Sequence, residues 1–151
     1  MTTIQLTEEQ LRLVQDALEM YSRIGIGQFW VIKDHPTFEK MLRRKCTADG
    51  KTDYSLYHEI RESADRYLSI GRDTLICDST LGNHGSFGIF NEKADDSCRV
   101  AYDIVQVIRH EFWKRNPNRS ENVVMASKML TTKDSDKIKV ELCDYTLRKT
   151  F

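Results

Sequence analysis

The chain has 151 residues, and its 23 basic and 23 acidic side chains cancel to a formal net charge of zero. That balance argues against the basic coat that grips nucleic-acid polymers, so neither DNA nor RNA is expected as a partner. Hydrophobic content of 40% and charged content of 30%, with no apolar run of about eighteen residues and no leader-like start, predict one globular domain, cytoplasmic and without a membrane partner. Cys46, Cys77, Cys98 and Cys143 are scattered, with no C-x-x-C pair, and are expected as free thiols.

The first helix is expected to start at Thr7, with Gln10 completing a capping box and Leu6 stapling onto Leu11. At about 100° per residue, Leu11, Leu13, Val14, Ala17, Leu18, Met20, Tyr21 and Ile24 fill one half of its wheel. Such an arc is wider than the ~100° stripe of a helix covering one core, and it predicts self-association. Gly25 and Gly27 interrupt this helix, and Gln28-Phe29-Trp30-Val31-Ile32 reads as a helical turn or a short strand. His35-Pro36 opens a second helix through about Arg44, with Phe38, Met41 and Leu42 inward. Residues 45–52 read as a loop. Asp53 caps a third helix through Ile70, with Leu56, Ile60, Ala64, Tyr67 and Leu68 as its buried row and Gly71 as its stop.

A glycine-studded loop at 82–88 follows. Asp95, Asp96 or Ser97 then caps a fourth helix, from roughly 96 to 115, whose core stripe is Ala101, Ile104, Val105, Ile108 and Phe112. Asn116-Pro117 ends it. Ile138, Val140 and Leu142 alternate with charged residues and suggest a short strand. The fold class is therefore mainly α, of α+β type. It comprises about four helices and a C-terminal strand region in a single domain over 1–151, with core 6–117 and extension 118–151.

Three groups of residues suit a ligand. On the fourth helix Tyr102, Gln106, Arg109 and Trp113 lie at i, i+4, i+7 and i+11, within roughly 60° of one another beside the apolar stripe. Arg109 offers a planar fork for phosphate, or it simply pairs with a carboxylate such as Asp103 or Glu111. In the loop, Gly82, Gly85 and Gly88 permit close backbone approach, Asn83 and Ser86 offer polar groups, and Phe87 stacks on a base or anchors the loop. The third group is Arg23-Ile-Gly-Ile-Gly-Gln28-Phe29-Trp30, where helix termination explains the glycines equally well.

Catalysis has little support. His35, His58, His84 and His110 stand apart, and Gly-Ser-Phe-Gly is not a hydrolase elbow. Cys98, at a helix start, reads as a structural thiol or as one with lowered pKa. No enzyme activity, cofactor or metal is expected.

Arg23-Ile-Gly-Ile-Gly-Gln-Phe, His35-Pro36-Thr37-Phe38, Gly85-Ser-Phe-Gly-Ile and Val100-Ala-Tyr-Asp-Ile-Val-Gln-Val-Ile-Arg-His110 together resemble a group of small bacteriophage proteins. That group looks like the anti-CBASS sponge proteins, which sequester cyclic dinucleotide signals such as 3′3′-cGAMP. The similarity spans about residues 6 to 117. The resemblance implies a phage-encoded homotetramer in the host cytoplasm that binds cyclic dinucleotides at subunit interfaces and leaves them uncut. The alternatives are a phage-encoded interaction module for a host or virion protein, and a small nucleotide hydrolase.

Overall fold

The computed structural model describes residues 4–76, 85–115 and 140. Among these residues the chain is mainly helical, with α1 (Glu8–Gly25), α2 (Val31–Asp34), α3 (Pro36–Lys45), α4 (Tyr54–Ile76) and α5 (Asp96–Arg115). A two-stranded antiparallel sheet joins β1 (Thr47–Ala48) to β2 (Lys51–Thr52). The chain groups into two compact units, Met1–Ser22 with Asp95–Phe151, and Arg23–Ala94. The expected C-terminal strand lies outside the described residues, except for Val140. No helix among the described residues is long and apolar enough to cross a membrane.

In the first unit, the starts of both helices are set by the residues read from the sequence, while Asn116-Pro117, the expected stop of α5, lies outside the described residues. Thr7 N–H donates to Gln10 Oε1 at 2.8 Å and Gln10 N–H donates back to Thr7 Oγ1 at 3.2 Å. This capping box satisfies two donors that the first turn of α1 leaves open. Asp95 caps α5, accepting from the backbone N–H of Ser97 at 2.8 Å. Leu11 of α1 packs against Ile108 and Phe112 of α5, with Val14, Ile104 and Val140 closing around them. The Arg12 guanidinium lies 4.1 Å above the Phe112 ring, a cation–π contact that covers one face of the ring.

The α5 core stripe is as expected, but burial extends around the helix to Cys98, Asp103, Gln106 and Val107. This corrects the placement of Gln106 beside the stripe, because its side chain is only 2% exposed. Neither amide atom of Gln106 meets a hydrogen-bond partner among the described residues. A buried amide left in that state is unfavourable by about 1–3 kcal/mol. Gln106→Met, similar in volume and apolar, is expected to raise stability by about 1 kcal/mol, or roughly 2–4 °C in Tm. A fall in Tm, measured by calorimetry, would count against this account of the side chain.

On α1 the wide apolar arc is only partly covered. Leu11 is buried, whereas Leu13 and Tyr21 are exposed.

In the second unit, His35 caps α3, its Nδ1 accepting from Thr37 N–H at 3.3 Å, and Pro36 occupies the first helical turn. Residues 47–52, expected as a loop, form a hairpin instead. Asp49 and Gly50 both take positive φ, 49° and 74°, and Thr47 pairs with Thr52 across the turn. Asp-Gly is the pair that a two-residue primed turn favours. Asp53 Oδ1 then accepts from Leu56 N–H at 3.0 Å and starts α4.

Two expectations for this unit are corrected. Gly71 does not stop α4, because its φ is not left-handed and the helix runs on to Ile76. The expected inward rows are covered only in part: Phe38 and Met41 of α3 and Leu56 and Tyr67 of α4 are exposed, while Leu42, Ile60, Ala64 and Leu68 are half-buried. Polar bonds join α3 to α4 in their place. Tyr57 is buried and its hydroxyl lies 2.7 Å and 2.6 Å from the two Glu39 carboxylate oxygens. Arg61 donates to Glu39 Oε2 at 3.0 Å and pairs with Asp34, while Arg43 donates to Glu39 at 2.7 Å.

The Tyr57 bond, helped by the Arg43 bond and the Arg43 and Arg61 charges, outweighs desolvation and holds the Glu39 carboxyl below its usual pKa. A lowered folded-state pKa contributes stability above the unfolded glutamate value of about 4.3, and that contribution fades as pH falls through the folded value. Tyr57→Phe is therefore expected to lower Tm at neutral pH and to flatten its decline on the acid side. An unchanged acid slope in a pH series of melting curves would show that Glu39 does not carry the effect.

Candidate functional site

Arg23, Ile24 and Gly25 form the last turn of α1, and its unpaired carbonyls need donors. Gln28 N–H reaches Arg23 O and Gly27 N–H reaches Ile24 O, both at 2.9 Å, with Gly27 at φ +92°. This is a Schellman closure, in which the residue after the cap must be left-handed and is therefore glycine. The closure places Gln28 directly after the turn, where its side chain returns toward Arg23.

Segment 85–88 runs against this turn. Phe87 N–H donates to Ile26 O at 3.1 Å, and Arg72 of α4 donates to Gly85 O at 3.5 Å. Arg23 Nη1 donates to Gln28 Oε1 at 3.0 Å, and Gln28 Nε2 donates to Ser86 Oγ at 3.2 Å. Lys93 Nζ sits 5.2 Å over the Phe87 ring. Gly88, at φ +76°, is exposed and turns the chain so that its carbonyl accepts from Asn91 N–H at 3.2 Å. Five of the residues singled out in the sequence, Arg23, Gln28, Ser86, Phe87 and Gly88, are thus brought together. Asn83 lies outside the described residues.

The four α5 residues belong to the other unit, and their environment is different. Arg109 forms an ion pair with Glu19 of α1, so its charge is matched by a carboxylate, though neither of those weighed from the sequence. Gln106 is buried. Tyr102 is half-buried, and burial raises its hydroxyl pKa, with Arg109 opposing and Asp103 adding to the rise. Trp113 stacks on His110, with ring centres 5.7 Å apart. Of the two readings open for Arg109, a fork for phosphate or a carboxylate pair, the structure shows the pair, and its guanidinium helps to hold α1 to α5. Burial is also the main reason that the Cys98 thiol is raised in pKa, against the lowering read from its place at a helix start.

Arg72 was missed in the sequence. Its side chain is 2% exposed and paired with Asp73, and it borders a crevice with Phe29, Trp30, Asp65, Leu68 and Ser69. Lys33 Nζ approaches Asp65 Oδ1 at 3.1 Å on the same side. The crevice is too tight to admit a water, so it secures the α4 end of the cluster and offers no ligand cavity. The adjacent Arg72-Asp73 pair was the available signal, since a buried arginine needs a nearby carboxylate.

Chemically, the cluster offers hydrogen-bond donors, an exposed arginine and an aromatic face. The amide of Gln28 donates to the Ser86 hydroxyl, an arrangement that does not activate it as a nucleophile. Among the described residues no three His, Cys, Asp or Glu side chains gather as metal ligands. No family model, curated protein or solved structure matches the chain.

Proposed function

We propose that this chain binds a cyclic dinucleotide, such as 3′3′-cGAMP, at the Arg23–Gln28–Ser86 cluster and sequesters it uncut, so blunting CBASS signalling in a phage-infected bacterium. The observation that carries the reading is the arginine–amide–hydroxyl series beside the Phe87 ring. A cyclic dinucleotide has flat bases and phosphodiester anions. It calls for an aromatic face and a guanidinium with flanking polar groups. The CBASS setting follows from the resemblance of the sequence blocks, which contain all five cluster residues.

The test is a melting series with a panel of cyclic dinucleotides, followed by recovery of the nucleotide. A saturable rise in Tm is expected, worth about 2.7 kcal/mol at a hundredfold excess over Kd, with the nucleotide intact. Arg23→Ala and Phe87→Ala are each expected to weaken binding at least tenfold, while Arg109→Ala leaves Kd unchanged. No rise with any of the panel would overturn the proposal. Time-dependent loss of nucleotide would favour the hydrolase reading.

A protein-interaction role is the second reading. It is favoured by the large apolar side chains that α4 leaves open, Tyr67 at 73% and Leu75 at 74% exposed.

A further inference from the structure

We infer that α4 is a self-docking surface, along which two copies of this chain pair antiparallel. Leu56, Ile60, Ser63, Tyr67, Ile70 and Thr74 recur along this helix at alternating gaps of four and three residues. That spacing keeps one narrow seam facing a partner helix, as the a and d positions of a coiled coil do. The seam spans most of the 23 residues of α4. Ser63 and Thr74 are its small members, and Thr74 Oγ1 donates to Ile70 O at 2.8 Å within its own helix. The seam is also open, with Tyr67 and Ile70 more than half exposed and Leu56 at 37%.

The charges beside the seam identify the occupant. Glu59 and Arg66 are both exposed, seven residues apart on the same edge, and they have no ion-pair or hydrogen-bond partner among the described residues. A two-fold interface must be complementary to itself. In an antiparallel pair Glu59 faces the partner's Arg66, and the symmetry repeats that contact. The same register sets Leu56 against the partner's Tyr67 and Ile60 against the partner's Ser63, so Ser63 meets a larger side chain, while Ile70 and Thr74 lie past the overlap. The helices then overlap over about 16 residues each, roughly 24 Å at the usual rise per residue. A parallel pair would place Glu59 and Arg66 against Ala64 and Gly71, which offer no opposite charge. Self-pairing therefore uses the charges as they stand, and the inference is independent of any nucleotide.

Sedimentation velocity and native mass spectrometry of the full chain, without ligand, test it. The wild type is expected as a dimer or a dimer of dimers. Tyr67→Glu should halve that mass while leaving the helical circular dichroism unchanged, because Tyr67 is exposed within its own chain. Arg66→Glu sets like charges opposite one another and should raise the dissociation constant about tenfold. Adding Glu59→Arg to that variant restores the opposite pairing and should return the constant to within about threefold of wild type. A monomeric wild type, an assembly unchanged by Tyr67→Glu, or a charge swap that fails to restore association would each overturn the inference.

Discussion

Phe112→Ala is expected to lower stability by about 3–5 kcal/mol, the usual loss for a buried aromatic truncated to alanine. Phe112 is 6% exposed and, with Leu11 and Ile108, forms the buried cluster between α1 and α5. The substitution removes the ring from that cluster and also leaves Arg12 without its cation–π partner. Total domain stability is typically about 5–15 kcal/mol, so roughly a fifth or more of it is at stake. Calorimetry should register a drop of roughly 10 °C. Phe112→Leu, which keeps most of the volume, is expected to lose under about 1.5 kcal/mol. Equal losses for the two variants would indicate that the cluster is not packed as described.

Gly27→Ala is expected to lower stability by about 2 kcal/mol and to weaken any ligand response of the Arg23–Gln28–Ser86 cluster. Two causes act together. The backbone at φ +92° is strained for any residue with a Cβ, and a Cβ there would lie 2.9 Å from Ile76 Cδ1. The second contact involves the tip of a flexible side chain, so the backbone strain dominates. Ile76→Val, which removes that tip, is accordingly not expected to rescue Gly27→Ala in chemical denaturation. Rescue would show that crowding, and not conformation, requires the glycine. The strain also disturbs the Schellman bonds that set Gln28, and a nucleotide titration of the variant reads that second effect directly.

Local chemistry was the legible part of this sequence. The Thr7–Gln10 box, the Asp53 and Asp95 caps and the Pro36 start involve residues within three positions of one another, where composition nearly determines geometry. The α5 stripe was legible for a similar reason, because Ala101, Val105, Ile108 and Phe112 repeat at the helical period. The Asp49-Gly50 hairpin was equally local, but its two-residue strands are too short to show any alternation.

Long-range partners were not legible in the same way. Nothing in the spacing of α5 reveals that Arg109 meets Glu19, 90 residues away. The α4 row was read as buried because periodicity identifies an apolar face without identifying what covers it. The Arg23–Gln28–Ser86 series was anticipated only as separate pieces, each flagged by glycines beside polar or aromatic residues. Its assembly depends on Phe87 N–H reaching Ile26 O, a bond no local rule anticipates.

The bond from Arg72 to the Gly85 carbonyl has one more consequence, since it ties α4 to the segment that carries Ser86 and Phe87. Where two equilibria are coupled through such an element, the coupling is reciprocal. If pairing of α4 alters that segment, a molecule that grips Phe87 shifts the association constant of the helix seam by the factor with which association shifts its own affinity. Capture and assembly would then be two readouts of a single free energy.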